Sequence, residues 1–170
     1  MSALRKFLDG LYTAGGVIAA LFLIAILALI LIQMVARWTA EIFPGAPDYA
    51  GYSMAAASFF AFAHALNRGA HIRVSILLNA VGPGMRFFLE VWCFTIGTAL
   101  AWYFVYYATK TTYWSWKFHD VSQGQDATPL WIPQTAMVLG AVLFAIALTD
   151  NLVSLLFTRK HRIEADVVEH

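Results

Sequence analysis

Charge is what this chain has least of. Asp, Glu, Lys and Arg together make up 12% of its 170 residues, about half of the roughly 25% found in soluble domains, and 61% of the chain is apolar or aromatic. That balance excludes a water-soluble domain. Cysteine occurs once, as Cys93, which excludes an internal disulfide and a multi-cysteine metal site. Within an apolar block it reads as a small buried or lipid-facing side chain. Neither sign of charge dominates: eleven Lys and Arg stand against ten Asp and Glu, with no basic face for nucleic acid. A phosphate-cradling glycine loop, a Ser/His/Asp motif and paired carboxylates are all missing. The reading is therefore no enzyme, no catalytic residue, no bound cofactor and no metal site.

What the chain does have is long apolar blocks, which lift its mean hydropathy to +0.67. Four of them predict an all-α membrane protein with transmembrane helices over about 11–36, 50–66, 87–109 and 130–157. The first contains no charge and would reach about 39 Å at about 1.5 Å per residue, so it should cross a hydrocarbon core of about 30 Å with tilt. The second is the weakest, because it is short and rich in Ala and Ser. Arg5 and Lys6 precede the first block as in a secretory signal, but the run is about twice as long as a signal's apolar region. It reads as a retained helix. One membrane domain, residues 1–170, accounts for the chain, with a solvated tail over 159–170.

Basic residues orient the spans. Counted over alternate flanking segments, eight Lys and Arg (Arg5, Lys6, Arg68, Arg73, Arg86, Arg159, Lys160 and Arg162) face three (Arg37, Lys110 and Lys117). Since basic residues are retained on the cytoplasmic side, both termini and the segment between spans two and three are expected inside. Trp38, Trp114, Trp116 and Trp131 then fall at the outer interface, where amphipathic rings settle.

Ionisable groups near mid-membrane, which a self-sufficient transporter needs, are nearly absent. Glu90 follows Arg86 by four residues, so the two can pair on one helix face. Asp150 lies at the cytoplasmic side of the fourth span, within reach of Arg68, Arg73 or Arg86 as an ion-pair partner. His64 is the one histidine inside a span, whereas bis-histidine haem ligation needs two. Small residues recur four apart in Gly15/Ala19, Gly16/Ala20, Gly51/Ala55, Gly97/Ala101 and Ala136/Gly140, a spacing that lets helix backbones approach closely in lipid.

Between spans two and three, Val74, Leu77, Leu78 and Val81 recur at helical spacing with His71, Ser75 and Asn79 on another face. This predicts a short interfacial helix over about 71–81, serving either as a docking surface for another subunit or as a lipid-surface connector. Gly82, Pro83 and Gly84 end it. The outer segment 110–129 carries Lys117, Asp120 and Asp126, and is either a contact surface for a soluble partner or a solvated extension of the third helix.

The run R-G-A-H-I-R-V at 68–74, followed by Leu77, Leu78 and Pro83, resembles the corresponding loop in the small, DctQ-like membrane subunit of tripartite ATP-independent periplasmic (TRAP) transporters. P-L-W-I-P-Q at 129–134, leading into an apolar helix with Gly140, resembles the same family, as do the length and four-helix layout. The resemblance covers roughly 11–157. It implies a bacterial inner-membrane scaffold paired with a large multi-span subunit that carries the substrate and sodium sites. A periplasmic binding protein would deliver an organic acid, and an ion gradient would drive uptake. On this reading Arg68, His71 and Arg73 are interface residues, donating to helix-end carbonyls, a carboxylate such as Asp150, or lipid phosphate. The rival readings are an independent homo-oligomeric transporter and a membrane anchor of a redox complex.

Overall fold

The computed structural model describes residues 2–39, 44–67, 83–125 and 127–158. Among them the chain is all-helical, in the order α1 (Ser2–Trp38), α2 (Ala46–Asn67), α3 (Pro83–Phe118) and α4 (Trp131–Thr158), with an isolated bridge between Val121 and Pro129 and no strand. The expected interfacial helix over 71–81 and the tail over 159–170 lie outside the described residues.

Proline marks where α2, α3 and α4 begin. Pro44 and Pro129 lie just ahead of α2 and α4, while Pro47, Pro83 and Pro133 sit in the first turns of α2, α3 and α4. There the missing N–H has no partner to lose. Gly45, at φ 78°, turns the chain into α2, and its carbonyl accepts the Tyr49 N–H at 3.1 Å. The far end of α3 is closed by a Schellman motif: the Asp120 N–H donates to Ser115 O at 3.0 Å and the His119 N–H to Trp116 O at 3.4 Å. His119 holds the left-handed position at φ 57°, which glycine would adopt with less strain.

Three helices are long and apolar enough to cross a membrane, over Arg5–Trp38, Phe87–Phe118 and Trp131–Phe157. The fourth, α2, is not among them, and packing supplies the reason. Helix α1 packs along α2, α2 along α4, and α4 along α3, while α1 meets α4 only briefly. The helices therefore form a row, α1–α2–α4–α3, and α2 lies inside it. Protein on two sides relieves α2 of the apolar surface that lipid demands, so Ala, Ser and Gly suffice. Its Ala56, Ala57, Phe60, Ala63 and Leu66 are buried.

Backbones come close because the contact surfaces are small. Among the described residues, nine of the fifteen buried apolar positions are alanine, so contact is made by the backbone and short side chains rather than by interdigitating leucines. The tightest point is Gly140 of α4, where a Cβ would lie 2.7 Å from Phe59 C and Cβ and 2.8 Å from Phe60 N. Gly15 of α1 faces Phe60 O, at 3.1 Å from where its Cβ would be, and Gly16 faces the His64 ring at 2.9 Å. Gly97 of α3 rests against Leu148 of α4. Gly51 has nothing within 4 Å, so its pairing with Ala55 serves no contact within the chain. Around these points Phe22 stacks on Phe60 at 6.2 Å and Phe59 on Phe104 at 5.6 Å.

One substitution at two glycines should therefore have opposite effects. Gly51→Ala gains helix propensity in open space and should be neutral or stabilising by up to about 1 kcal/mol. At Gly140 the added methyl meets backbone that cannot rotate away, and Gly140→Ala should destabilise by about 1–3 kcal/mol. Unfolding in mixed micelles measures both.

Candidate functional site

The row has two polar ends and an apolar middle. At the basal end, where α1 and α3 begin and α2 and α4 finish, polar side chains from three helices gather. Asp150 of α4 is half-buried and lies within electrostatic reach of the Arg5 guanidinium of α1 and of the Tyr12 hydroxyl. It also borders a depression of about 250 Å³ with Trp102, Ile146, Thr149 and Val153. One residue on, Asn151 is fully buried. Its Nδ2 donates to Ala147 O at 2.8 Å and across the helix seam to Asn67 Oδ1 of α2 at 3.1 Å. A second interhelical bond joins α3 to α4, Trp102 Nε1 donating to Thr149 Oγ1 at 3.1 Å, while Thr149 Oγ1 donates to Ala145 O at 2.7 Å.

Asp150, singled out as an ion-pair position, thus has a cationic neighbour in Arg5, which the sequence reading had not named as its partner. Asn67, Asn151 and the Trp102–Thr149 pair were missed altogether. An amide inside an apolar helix was the available signal for Asn151; nothing local pointed to its partner 84 residues away. Glu90 lies half-buried on α3, one turn after Arg86. The side chain of Arg86, and the whole of Arg68, His71, Arg73 and Asp126, lie outside the described residues. No group of three or more His, Cys, Asp or Glu is arranged to hold a metal ion among the described residues.

At the distal end α3 runs on to Phe118, past the apolar block, and the chain folds back rather than trailing into solvent. The Ser122 N–H donates to Thr128 O at 2.8 Å and the Leu130 N–H to Asp120 O at 3.0 Å, closing the loop on itself. Tyr52 Oη then donates to Ser122 Oγ at 2.7 Å, Ser122 Oγ accepts the Gly124 N–H at 3.1 Å, and Thr128 Oγ1 donates to Tyr49 Oη at 3.4 Å. Gly124 is seated against the Asp48 carboxylate, where a side chain would collide. The first two turns of α2 therefore hold the loop. Asp120 is exposed, and the ammonium of Lys117 lies 5.0 Å above the Trp114 ring, a cation–π contact.

Between these ends the two outer helices present apolar surface. Leu21, Ile24, Leu27 and Leu31 of α1, and Trp92, Leu100 and Tyr103 of α3, are all exposed. Cys93 is exposed on α3 as well. Over α4, between α2 and α3, an apolar groove of about 340 Å³ is lined by Phe59, Phe62, Leu100, Phe104 and Phe144.

Residues 26–158 match the family model described as tripartite ATP-independent periplasmic transporters, DctQ component. The match takes in the distal part of α1 and nearly all of α2, α3 and α4. No curated protein sequence matches the chain.

Because the Tyr52 phenol makes the shortest hydrogen bond from α2 to the distal loop, Tyr52→Phe should loosen the loop around Ser122 while leaving the ring contacts in place. Amide exchange of Ser122 and Gly124 should speed up, and overall stability should fall by no more than about 1.5 kcal/mol, the net value of one neutral hydrogen bond. Hydrogen–deuterium exchange with mass spectrometry reads the first, and a micelle melt the second.

Proposed function

The chain belongs to the DctQ family, the small membrane component of tripartite ATP-independent periplasmic transporters, and from that premise we propose that it is the non-catalytic scaffold of such a transporter. It pairs in the bacterial inner membrane with a large multi-span subunit. That partner carries the substrate and sodium sites and takes up an organic acid delivered by a periplasmic binding protein. All four helices cross the bilayer, with both termini cytoplasmic. Helix α2 crosses with its neighbours because it packs along α1 on one side and α4 on the other.

The observation that carries this reading is the row itself. A solute path needs walls on all sides, as does a site with alternating access, whereas a row one helix thick has two faces and no lumen. Such a row offers the long apolar sides of α1 and α3 to lipid and to a larger membrane partner. In this assembly Arg68, His71 and Arg73 hold the cytoplasmic interface, Arg86 and Glu90 form an ion pair at the base of α3, and Lys117, Asp120 and Asp126 face the binding protein.

Purification of the tagged chain from its native host in mild detergent should bring down a large multi-span membrane protein, and the chain alone in liposomes should move no organic acid. Elution with only copies of itself, or flux without a companion, would refute the scaffold. A haem absorption band would point instead to a redox anchor. Within the complex, Arg73→Glu should reduce recovery of the large subunit severalfold, and undiminished assembly and uptake would remove Arg73 from the interface.

A further inference from the structure

Helices α1, α2 and α4 meet at the basal end, and each brings a polar side chain to it. Tyr12 of α1 is 3% exposed and packs in one cluster with Leu66 and Ala147. Leu66 adjoins Asn67 in sequence, and Ala147 lies one helical turn before Asn151, so the Tyr12 ring packs in the same cluster as the residues that flank the Asn67–Asn151 pair. Asn151 is 0% exposed.

The hydrogen bonds fix which atom is which. A peptide carbonyl only accepts, so the group of Asn151 that meets Ala147 O at 2.8 Å is its NH₂. The same NH₂ reaches Asn67 at 3.1 Å, so the Asn67 atom there is its oxygen. Three atoms are left over: Asn151 Oδ1, which accepts; Asn67 Nδ2, which donates; and Tyr12 Oη, which does both. All three are buried, and none has a hydrogen-bond partner among the described residues. Buried polar atoms of folded proteins are almost always partnered.

This combination selects the chemistry of what can sit there. A cation would face the N–H groups of Asn67, and an anion would face Asn151 Oδ1 with the Asp150 carboxylate close by. Only a small neutral molecule that both donates and accepts satisfies all three. We propose that an ordered water molecule is buried in the α1–α2–α4 seam, accepting from Asn67 Nδ2, donating to Asn151 Oδ1 and sharing a hydrogen bond with Tyr12 Oη. Its coordination is that of a typical buried water, which makes about three hydrogen bonds. The water ties α1 to α4, which otherwise touch only briefly, and Tyr12 lies ahead of the family-matched residues. The site is independent of the scaffold reading and needs no partner subunit.

X-ray radiolytic labelling of the purified chain in H₂¹⁸O tests it, since hydroxyl radicals made from a bound water oxidise the side chains it touches. Tyr12 should be labelled severalfold faster than Phe60, which is also buried but has no polar neighbour of this kind. Its ¹⁸O content should lag behind that of the exposed Tyr113. In Asn151→Leu, and in Asn67→Leu, Tyr12 labelling should fall severalfold. Tyr12 labelled no faster than Phe60 would mean a dry seam and would overturn the proposal. Labelling that survives both substitutions, or ¹⁸O uptake as fast as at Tyr113, would show bulk solvent as the source and would overturn it equally. If either leucine variant fails to fold, the comparison of Tyr12, Phe60 and Tyr113 in the unmodified chain still decides.

Discussion

The contact at Gly140 sets the terms for the other helix pairs. In lipid the hydrophobic effect does not drive helices together, because the surrounding tails are as apolar as the side chains they would replace. Association then depends on dispersion at close range and on hydrogen bonds across seams, and both require backbones to come near one another. Gly140 admits the backbone of α2 at Phe59 and Phe60. Gly15 does the same for α1 at the Phe60 carbonyl of α2. With α2 and α4 held this close, Asn151 can reach Asn67, and the distal loop leaving α3 can reach Tyr52. Polar bonds at both ends thus depend on small residues in the middle.

A row of helices follows from where those small faces lie. Helix α2 packs along both α1 and α4, and α4 along both α2 and α3, while α1 meets α4 only briefly, so the chain extends sideways. The outer helices consequently keep one side free of protein, and their exposed residues are large and apolar. This geometry suits a membrane component that lends surface and rigidity to another subunit. Among the described residues charge gathers toward the two ends, with Arg5 and Asp150 at the base and Asp48, Lys117 and Asp120 at the distal side, where polar groups can be solvated.

The four helices were legible in the sequence, and their ends less so. Apolar blocks at 11–36 and 87–109 correspond to helices that run over Ser2–Trp38 and Pro83–Phe118. Hydropathy marks the part of a helix that lipid can surround, whereas the helix itself continues until proline, glycine or a cap stops it. Nothing between Thr109 and Phe118 breaks α3, so it rises beyond its apolar block until the turn at His119. The spacing of Gly15, Gly16 and Gly140 pointed correctly to close contacts, that of Gly97 to ordinary packing against Leu148, and that of Gly51 to none within the chain. Small-residue spacing says that an approach is possible, and only a partner helix makes it real.

The long apolar blocks by themselves determined that the chain is a helical membrane protein, because an apolar run of about twenty residues can satisfy its backbone in lipid as a helix. Residue order determined where those helices begin, since proline is tolerated in a first turn and excluded beyond it. Which helices touch was decided by tertiary structure. The weak hydropathy of α2 became intelligible once it lay between two neighbours, Asp150 acquired Arg5, and Asn151 met Asn67 across 84 residues of chain. Pairings of that kind depend on the relative rotation and offset of helices, which no local pattern encodes, because each helix presents several faces of similar composition and only simultaneous packing chooses among them.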